Sequence, residues 1–238
     1  MTTHRLLRNF QVCVPESQRD DYLAVTPHVV THPDSVVGLT PKLNWMLANL
    51  MDDEGMIFLD DDLGYMRRNF VGMDESADRR DTTDPDEIEA VLRETYELAV
   101  EFGAFFFGWE TSVQSIRYYS GHKPFALTGY INGCAKGFRA GHGLRYDERI
   151  IAKDDYDVSA LNAYRHRICL RNGMYAFAQA NTFKGSGGLS HFRNSETEAR
   201  DCRILQEKYG DLFTLGAQGG TRKRDYAGVQ KVTMHLPY

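Results

Sequence analysis

The sequence lacks any long hydrophobic run: no apolar stretch approaches the roughly 20 residues that a membrane-spanning helix needs. It also lacks paired cysteines. Its four cysteines, Cys13, Cys134, Cys169 and Cys202, are far apart and form no C-x-x-C pair, which argues against a disulfide framework or a zinc cluster. The residues after Met1 contain too short an apolar stretch for a signal peptide. We therefore expect a cytoplasmic protein with reduced thiols and no membrane association.

An excess of positive charge is also absent. The chain has 28 Lys and Arg residues against 33 Asp and Glu residues, a net charge of −5. Because the neutralisation of phosphates supplies most of the affinity of proteins that coat nucleic acid, this balance excludes coating by charge alone. A local basic groove is still compatible with it. Residues 165–171 and 222–224 are the candidate clusters, although a solvated surface is the simpler interpretation of each.

What is present is enough apolar material for a substantial core. Hydrophobic residues make up 42% of the 238 residues and aromatic residues 12%, too much for a disordered chain. Short strand-like runs alternate with helix-like runs, and no repeat or low-complexity linker separates them. This order predicts one α/β domain with a mainly parallel sheet in its first half and a mixed second half.

The predicted elements begin with strands at residues 10–14 and 29–30. A helix is expected next, with Thr40 as its N-cap and Pro41 at its first position. Residues 56–59 are a continuous apolar run of the kind found in buried strands. Further helices are predicted where capping boxes occur, at residues 84–87 and 195–198.

Other segments are predicted from composition. Residues 63–81 are charged and irregular, and a mobile loop is expected there. Glycines interrupt the strand-like residues 125–138, which indicates a hairpin or a strand that passes close to a ligand. A helix capped by Asp155 or Asp157 is expected to run to about residue 172.

Three aspartates follow the apolar run directly, and they are the most informative feature of the sequence. Carboxylates at the C-terminal end of a strand project into the crevice where open α/β sheets bind ligands. In an extended chain Asp60 and Asp62 point to one side and Asp61 to the other. Adjacent negative charges favour a hard divalent cation such as Mg²⁺ or Mn²⁺, which leaves positions for substrate phosphates. A solvated acidic turn is the alternative interpretation.

The sequence around this run resembles the core of the GT-A glycosyltransferases. Residues 39–50 form a helix-like segment bearing Lys and Asn, and residues 57–62 read Ile-Phe-Leu-Asp-Asp-Asp, in the family's order of helix and D-x-D strand. Residues 12–19, Val-Cys-Val-Pro-Glu-Ser-Gln-Arg, resemble its first strand and donor loop. The resemblance implies a single-domain α/β GT-A fold, a Rossmann-like mixed sheet. Its donor-nucleotide half is expected at about residues 1–110 and its acceptor half at about residues 111–238.

The resemblance also implies which residues bind the donor and the metal. A Mn²⁺ or Mg²⁺ ion is expected on Asp60 and Asp62, with His191 as the third ligand and His235 as its alternative. The donor is expected to be a nucleotide sugar, with UDP-sugars foremost. Its candidate ligands come from the first loop, the helix, the aspartate run and a glycine-rich stretch: Pro15, Arg19, Lys42, Asp60, Asp61, Lys184, Gly187, Gly188 and Arg193.

Residues 154–157, Asp-Asp-Tyr-Asp, resemble the acidic segment that supplies the catalytic base of inverting GT-A enzymes. Asp155 takes the place of that base. Asp154, which stands where Glu is common, and Asp157 are the alternatives. Helix capping explains an aspartate at this position equally well.

A narrower resemblance concerns the acceptor. Residues 187–193 and 198–211 resemble the TET/JBP-associated glycosyltransferases of phages and kinetoplastids, which glycosylate hydroxymethylated pyrimidines such as 5-hydroxymethylcytosine in DNA. This implies transfer of a sugar, with inversion, to modified DNA. Arg167 and Arg171, four residues apart on the predicted helix, are the candidate DNA contacts. The alternatives are a protein, glycan or small-molecule acceptor, a nucleotidyltransferase, or a nucleotide- or cation-binding module without catalysis.

Overall fold

A computed structural model describes residues 1–110, 113–179, 194–216 and 232–235, and they form a mixed α/β fold. The helices are α1 (Arg19–Leu23), α2 (Leu39–Asn49), α3 (Ala77–Arg80), α4 (Pro85–Glu101), α5 (Asp154–His166) and α6 (Ser195–Tyr209). The strands are β1 (Val12–Pro15), β2 (Val29–His32), β3 (Gly55–Leu59), β4 (Leu63–Arg68), β5 (Asp81–Thr82), β6 (Phe106–Glu110), β7 (Phe125–Ala126), β8 (Ala135–Arg139), β9 (Leu170–Gln179), β10 (Phe213–Leu215) and β11 (Val232–Met234). Within the described ranges, no helix is long and apolar enough to cross a lipid bilayer.

Seven strands form one curled mixed sheet in the order β3-β8-β6-β9-β4-β5, with β7 paired to β9. Among the described residues, β6 and β9 are its one parallel pair, and its other pairs are antiparallel. Outside it, β1 pairs with β2 in parallel and β10 pairs with β11 antiparallel. The prediction of a mainly parallel first half is therefore wrong, because β3 and β4 both have antiparallel neighbours.

The run of three aspartates, Asp60 to Asp62, requires this sheet to curl. It is the whole connection between β3 and β4, yet β8, β6 and β9 lie between these two strands in the sheet. In a flat sheet the two strands would be about 19 Å apart, because neighbouring strands lie about 4.8 Å apart. The four Cα steps from Leu59 to Leu63 span at most about 14 Å. The sheet must roll to close that gap, and the aspartate run bridges its two sides at one end.

The core lies on both faces of the curled sheet. On β6, Phe106 and Phe107 are both fully buried but belong to different clusters, as expected of successive residues that point to opposite faces of a strand. Phe107 shares its cluster with Ile88 of α4. Phe106 shares the other with Leu43 of α2 and Val158 of α5. Therefore α4 covers one face, and α2 and α5 cover the other.

The C-terminal elements fix the start of α5. A third cluster of buried side chains joins α5 to α6 and to the β10–β11 pair. Ion pairs join the same elements: Lys153 Nζ lies 2.6 Å from Glu198 Oε2, and Lys208 Nζ lies 2.5 Å from Asp157 Oδ1. Lys153, Glu198 and Asp157 are buried. Breaking such a buried pair is costly, so the first turn of α5 is held firmly in place.

The segment predicted as a mobile loop, residues 63–81, is instead part of the sheet. It contains β4, α3 and β5, and Leu63 and Met66 of β4 are fully buried. The charged side chains of its strands form ion pairs, as between Arg67 Nε and Asp81 Oδ1 at 2.6 Å, and so do not indicate a loop. The loop prediction is therefore wrong.

The N-cap prediction for α2 is also wrong, and so is the hairpin alternative for residues 125–138. Helix α2 begins after Gly38, whose φ is 102°, and Thr40 does not cap it. The Thr40 hydroxyl instead donates to the carbonyl oxygen of Ile150 at 3.1 Å. Residues 125–138 do not form a hairpin, because β7 pairs with β9 while β8 pairs with β3 and β6.

Candidate active site

The aspartate run meets the first turn of α5 around a buried lysine, Lys136 of β8. This residue lies opposite Phe58 of β3 in the sheet, next to the strand that delivers the aspartates. Its Nζ lies 3.4 Å from Asp154 Oδ2, and the two residues are 2% and 7% exposed. Asp60 and Asp155 are both within electrostatic reach of Lys136. Residues far apart in the sequence thus share one site.

Cys134 lies where the two acidic groups meet. Burial raises the pKa of its thiol to about 12, and the charges of Asp60, Asp62 and Asp155 add to the rise while Lys136 opposes it. The geometry agrees: the Asp60 amide donates to the Cys134 carbonyl oxygen at 2.9 Å, and a Cβ on the preceding Gly133 would lie 3.6 Å from Asp155 Oδ2 and 3.8 Å from Lys136 Nζ. A buried thiol with a raised pKa is a poor nucleophile, so we assign this cysteine no chemical role.

Asp60 and Asp62 share a hydrogen-bond donor. Gln179, at the end of β9, donates its Nε2 to Asp60 Oδ2 at 2.9 Å and to Asp62 Oδ1 at 3.3 Å. The two carboxylates therefore face the same point, as expected of alternate residues in an extended segment, while Asp61 is exposed. Burial raises the pKa of Asp60 to about 7; Lys136 opposes the rise, and the neighbouring aspartates add to it. Burial also raises the pKa of Asp62.

These carboxylates fit a hard divalent cation. Their raised pKa values reflect the free-energy cost of holding negative charge at this point, which a cation would relieve. In the described part of the chain, no group of three or more His, Cys, Asp or Glu side chains is placed to hold a metal ion. His191, the expected third ligand, lies outside the described residues. The alternative, His235, contacts the hydroxyl of Thr214 through Nε2 at 2.8 Å.

Two of the three aspartates in the first turn of α5 are neutralised by lysines. Asp154 lies against Lys136. The fully buried side chain of Asp157 accepts hydrogen bonds from Lys208 Nζ at 2.5 Å and from the Tyr209 hydroxyl at 2.8 Å. A carboxylate held this way is poorly placed to exchange protons with a substrate, and its removal would leave the lysine without its partner.

Asp155 has a different environment. The Tyr130 hydroxyl donates to its Oδ2 and the backbone amide of Tyr156 to its Oδ1, and among the described residues no basic side chain is hydrogen-bonded to it. It is only partly buried and lies beside Gly133, where an added Cβ would be 3.6 Å from its Oδ2. Burial raises the pKa of Asp155 to about 6; Asp154 adds to the rise, and the Tyr130 hydrogen bond opposes it. These are suitable properties for a general base.

The capping interpretation of this aspartate is wrong. The N-cap position of α5 is occupied by Lys153, and no side chain caps the helix there. Asp155 lies inside the first turn, where a negative charge is favoured by the helix dipole. That interaction is modest and leaves the carboxylate available for chemistry.

The candidate donor ligands of the N-terminal half lie on β1, α1 and α2. Pro15 ends β1, and Arg19 begins α1 with its Nη1 3.7 Å from Asp20 Oδ1. Lys42 of α2 is within electrostatic reach of Cys13 on β1, which brings this helix beside the first strand. Asp60 and Asp61 belong to the aspartate run described above, and the remaining candidates lie outside the described residues: Lys184, Gly187, Gly188 and Arg193.

Arg167 and Arg171 do not share a helix face, and that prediction is wrong. Helix α5 ends at His166, and Arg167 follows it with a left-handed backbone, φ 65°. Arg171 lies on β9, where its Nε is 3.6 Å from Glu110 Oε2 and its Nη1 donates to the Tyr130 carbonyl oxygen at 3.3 Å. Arg171 therefore lies beside the tyrosine that contacts the candidate base. The second basic cluster, residues 222–224, lies outside the described residues.

Sequence reasoning missed Lys136 and Gln179, and it considered Tyr130 only for base stacking or core packing and not as the partner of Asp155. For Lys136 a signal was present, because it interrupts the strand-like run Cys-Ala-Lys-Gly-Phe and a charge in a buried strand needs a partner. Tyr130 and Gln179 carry no comparable signal, since their roles depend on residues from distant parts of the chain.

Comparisons of the chain with protein-family models, with curated proteins and with solved structures gave no match. Its function is therefore inferred from the side chains of this site.

Proposed function

We propose that the chain is a metal-dependent glycosyltransferase with a GT-A fold that uses a nucleotide sugar. The observation that carries this proposal is that Asp60 and Asp62, which share the Gln179 amide, lie close to the partly buried Asp155 at one end of the sheet: Asp60 is hydrogen-bonded to Cys134, and Asp155 lies beside the preceding Gly133. The pair suits a divalent cation with bound phosphates, and Asp155 suits proton transfer. Glycosyl transfer from a nucleotide sugar needs both within one site. The resemblance of the sequence to GT-A enzymes supports the same function.

The charge of the site favours metal dependence. The aspartate run, Asp154 and Asp155 together outweigh the positive charge of Lys136. A donor diphosphate brings further negative charge and would be repelled by this excess. Donor binding is therefore expected to require a divalent ion, held by Asp60 and Asp62, which would supply positive charge to the phosphates.

The protein's own part in the reaction is to remove a proton and to orient the group that removes it. The acceptor hydroxyl oxygen bonds to the anomeric carbon of the sugar while Asp155 takes the hydroxyl proton. The bond from that carbon to the diphosphate oxygen breaks, and the nucleoside diphosphate leaves with its electron pair. Tyr130 holds the carboxylate of Asp155 through its hydroxyl. Direct attack opposite the leaving group gives inversion.

For the acceptor we propose a hydroxymethylated pyrimidine in DNA, as the narrower resemblance implies. Two exposed cations and an exposed aromatic ring occur between β6 and β7, in the segment that leads to Tyr130: Arg117, Lys123 and Tyr118. Tyr118 is 85% exposed. Cations contact phosphates and aromatic rings stack on unpaired bases, so this segment suits a nucleic-acid strand beside the site.

The test is incubation of the purified chain with a panel of nucleotide sugars, Mn²⁺ or Mg²⁺, and DNA containing 5-hydroxymethylcytosine. Nucleoside mass spectrometry is then expected to detect the added sugar on the modified nucleoside and not on matched unmodified DNA. Release of the nucleoside diphosphate without a DNA product would support the use of a nucleotide sugar and would rule out DNA as the acceptor. If no donor is consumed with either metal, the glycosyltransferase activity and the DNA acceptor are both ruled out.

A further inference from the structure

Thr2 and Thr3 clamp the backbone of the aspartate run. The Thr3 hydroxyl donates to the carbonyl oxygen of Asp60 and accepts from the amide of Leu63 at 2.9 Å. The Thr2 hydroxyl donates to the Leu63 carbonyl oxygen at 2.8 Å. The amides of Thr2 and Thr3 both donate to the carbonyl oxygen of Asp61, at 2.8 and 3.3 Å. The run is therefore held by a segment that is distant from it in the sequence.

These bonds replace the backbone hydrogen bonds between strands, which the run lacks because it lies outside β3 and β4. The Asp60 amide still donates to the Cys134 carbonyl oxygen at 2.9 Å, but beyond it the chain leaves β3 and crosses to β4. Backbone groups in such a crossing must find other partners, and a loosely held crossing would let its carboxylates move apart. Thr3 is 6% exposed, so its hydroxyl bonds to the run in place of water.

We propose that Thr3 is a positioning residue of the candidate metal site. Its hydroxyl joins the two ends of the run, the Asp60 carbonyl and the Leu63 amide, and so fixes the direction in which the carboxylates of Asp60 and Asp62 face. Thr3 acts through these aspartates and touches neither the metal nor the substrate. The metal-site part of this inference rests on the proposed function, whereas the clamp itself is independent of glycosyl transfer.

The test compares Thr3→Val, which removes the hydroxyl and keeps the shape, with Thr3→Ser, which keeps the hydroxyl. The affinity of the purified protein for Mn²⁺ alone is measured by electron paramagnetic resonance of the free ion. Thr3→Val is expected to weaken Mn²⁺ binding about tenfold, the usual effect of losing a group that orients a metal ligand. Thr3→Ser should stay within about twofold of the wild type, because the orienting hydroxyl is retained.

Thr40→Val is the matched control, since Thr40 is also buried and its hydroxyl also donates to a distant carbonyl oxygen. It should lower the melting temperature without changing the affinity for Mn²⁺. A folded Thr3→Val protein that binds Mn²⁺ as the wild type does, whatever its melting temperature, overturns the positioning role alone. A wild type that binds no Mn²⁺ overturns the metal site and the proposed function with it.

If Thr3→Val does not fold, the wild type decides. If the clamp favours metal binding, metal binding must favour the clamp to the same extent. Mg²⁺ should therefore slow hydrogen exchange at the Leu63 amide, which donates to Thr3. Exchange at this amide that Mg²⁺ leaves unchanged, in protein shown to bind the ion, overturns the proposal.

Discussion

The hydroxyl of Tyr130 donates a hydrogen bond to Asp155, and its ring packs against that of Tyr156 with the centroids 4.6 Å apart. This bond stabilises the ionised carboxylate, so it opposes the rise in the pKa of Asp155 that burial causes. Tyr130 therefore sets both the orientation of the candidate base and the pH at which it becomes active.

Replacing Tyr130 with phenylalanine is expected to move the acidic limb of the pH–rate profile to higher pH. The base must be ionised, and without the hydrogen bond its pKa rises further above about 6. A rise of one unit lowers the ionised fraction, and with it kcat/KM, by about fivefold at pH 6 and has little effect at pH 8. The matched control is Tyr156→Phe, which among the described residues loses only a contact with the Val232 carbonyl oxygen at 3.4 Å. Superimposable profiles for wild type and Tyr130→Phe would contradict the assignment.

Asp157→Asn is expected to destabilise the protein and leave the chemistry intact. The buried Asp157 carboxylate neutralises Lys208, and removing the charge of one partner of such a pair costs about 2 kcal/mol or more. Chemical denaturation should show this loss, while activity per folded molecule stays near the wild-type value. A variant of normal stability that no longer transfers sugar would identify Asp157 as the base instead.

Asp60→Asn is expected to stabilise the protein at high pH. The folded state binds the Asp60 proton more tightly than the unfolded chain, since the pKa is raised from 3.8 to about 7. The stability from this proton is fully present below about pH 4 and is lost as the pH rises through about 7. The variant avoids that loss and should gain about 2 kcal/mol at pH 8, well below the full value of the shift because the carboxyl is partly exposed.

Melting temperatures at pH 5 and pH 8, with and without Mg²⁺, check this prediction. Mg²⁺ should stabilise the wild type more at pH 8 than at pH 5, because the ionised carboxylate binds the ion. It should not stabilise Asp60→Asn. A variant less stable than the wild type at pH 8 without metal would show that Asp60 is not under electrostatic strain.

The DNA acceptor leads to a prediction about salt. Removing Arg117 and Lys123 together, as Arg117→Ser with Lys123→Ser, should reduce the log–log salt slope of DNA binding by about two, since each phosphate contact contributes nearly one. Donor hydrolysis should not change. Arg203→Ser, at an exposed position on α6, is the control. Equal slopes for the double variant and the wild type would exclude this segment as the DNA contact.

Local signals were sufficient for some of the fold. The apolar run became β3, and α4 begins where the capping box predicts, with the Asp84 side chain accepting from the Asp86 amide at 3.1 Å. Strand β4 could not be predicted this way, because its register is set by pairing with β9, and Met66 lies opposite Phe177. Such long-range pairing leaves no mark in the sequence of either strand.

The same limit applies to the site. Asp60 and Asp62 could be predicted because they follow a strand, and Asp155 could be placed by its order in the chain. The contact of Lys136 with Asp154 could not, since it depends on how β8 and α5 pack. The sequence alone does not reveal that lysines bind Asp154 and Asp157. Only the structure therefore distinguishes Asp155 from these two neighbours.

The most direct measurement of the central claim is donor binding and donor turnover by the wild type, Asp62→Ala and Asp155→Asn under the same conditions. The wild type should bind a nucleotide sugar and release the nucleoside diphosphate only with Mn²⁺ or Mg²⁺ present. Asp62→Ala should lose both metal-dependent donor binding and donor turnover. Asp155→Asn should bind the donor normally and turn it over about a hundredfold more slowly. Turnover at the wild-type rate in either variant, or donor binding by the wild type that is indifferent to metal, would contradict the account.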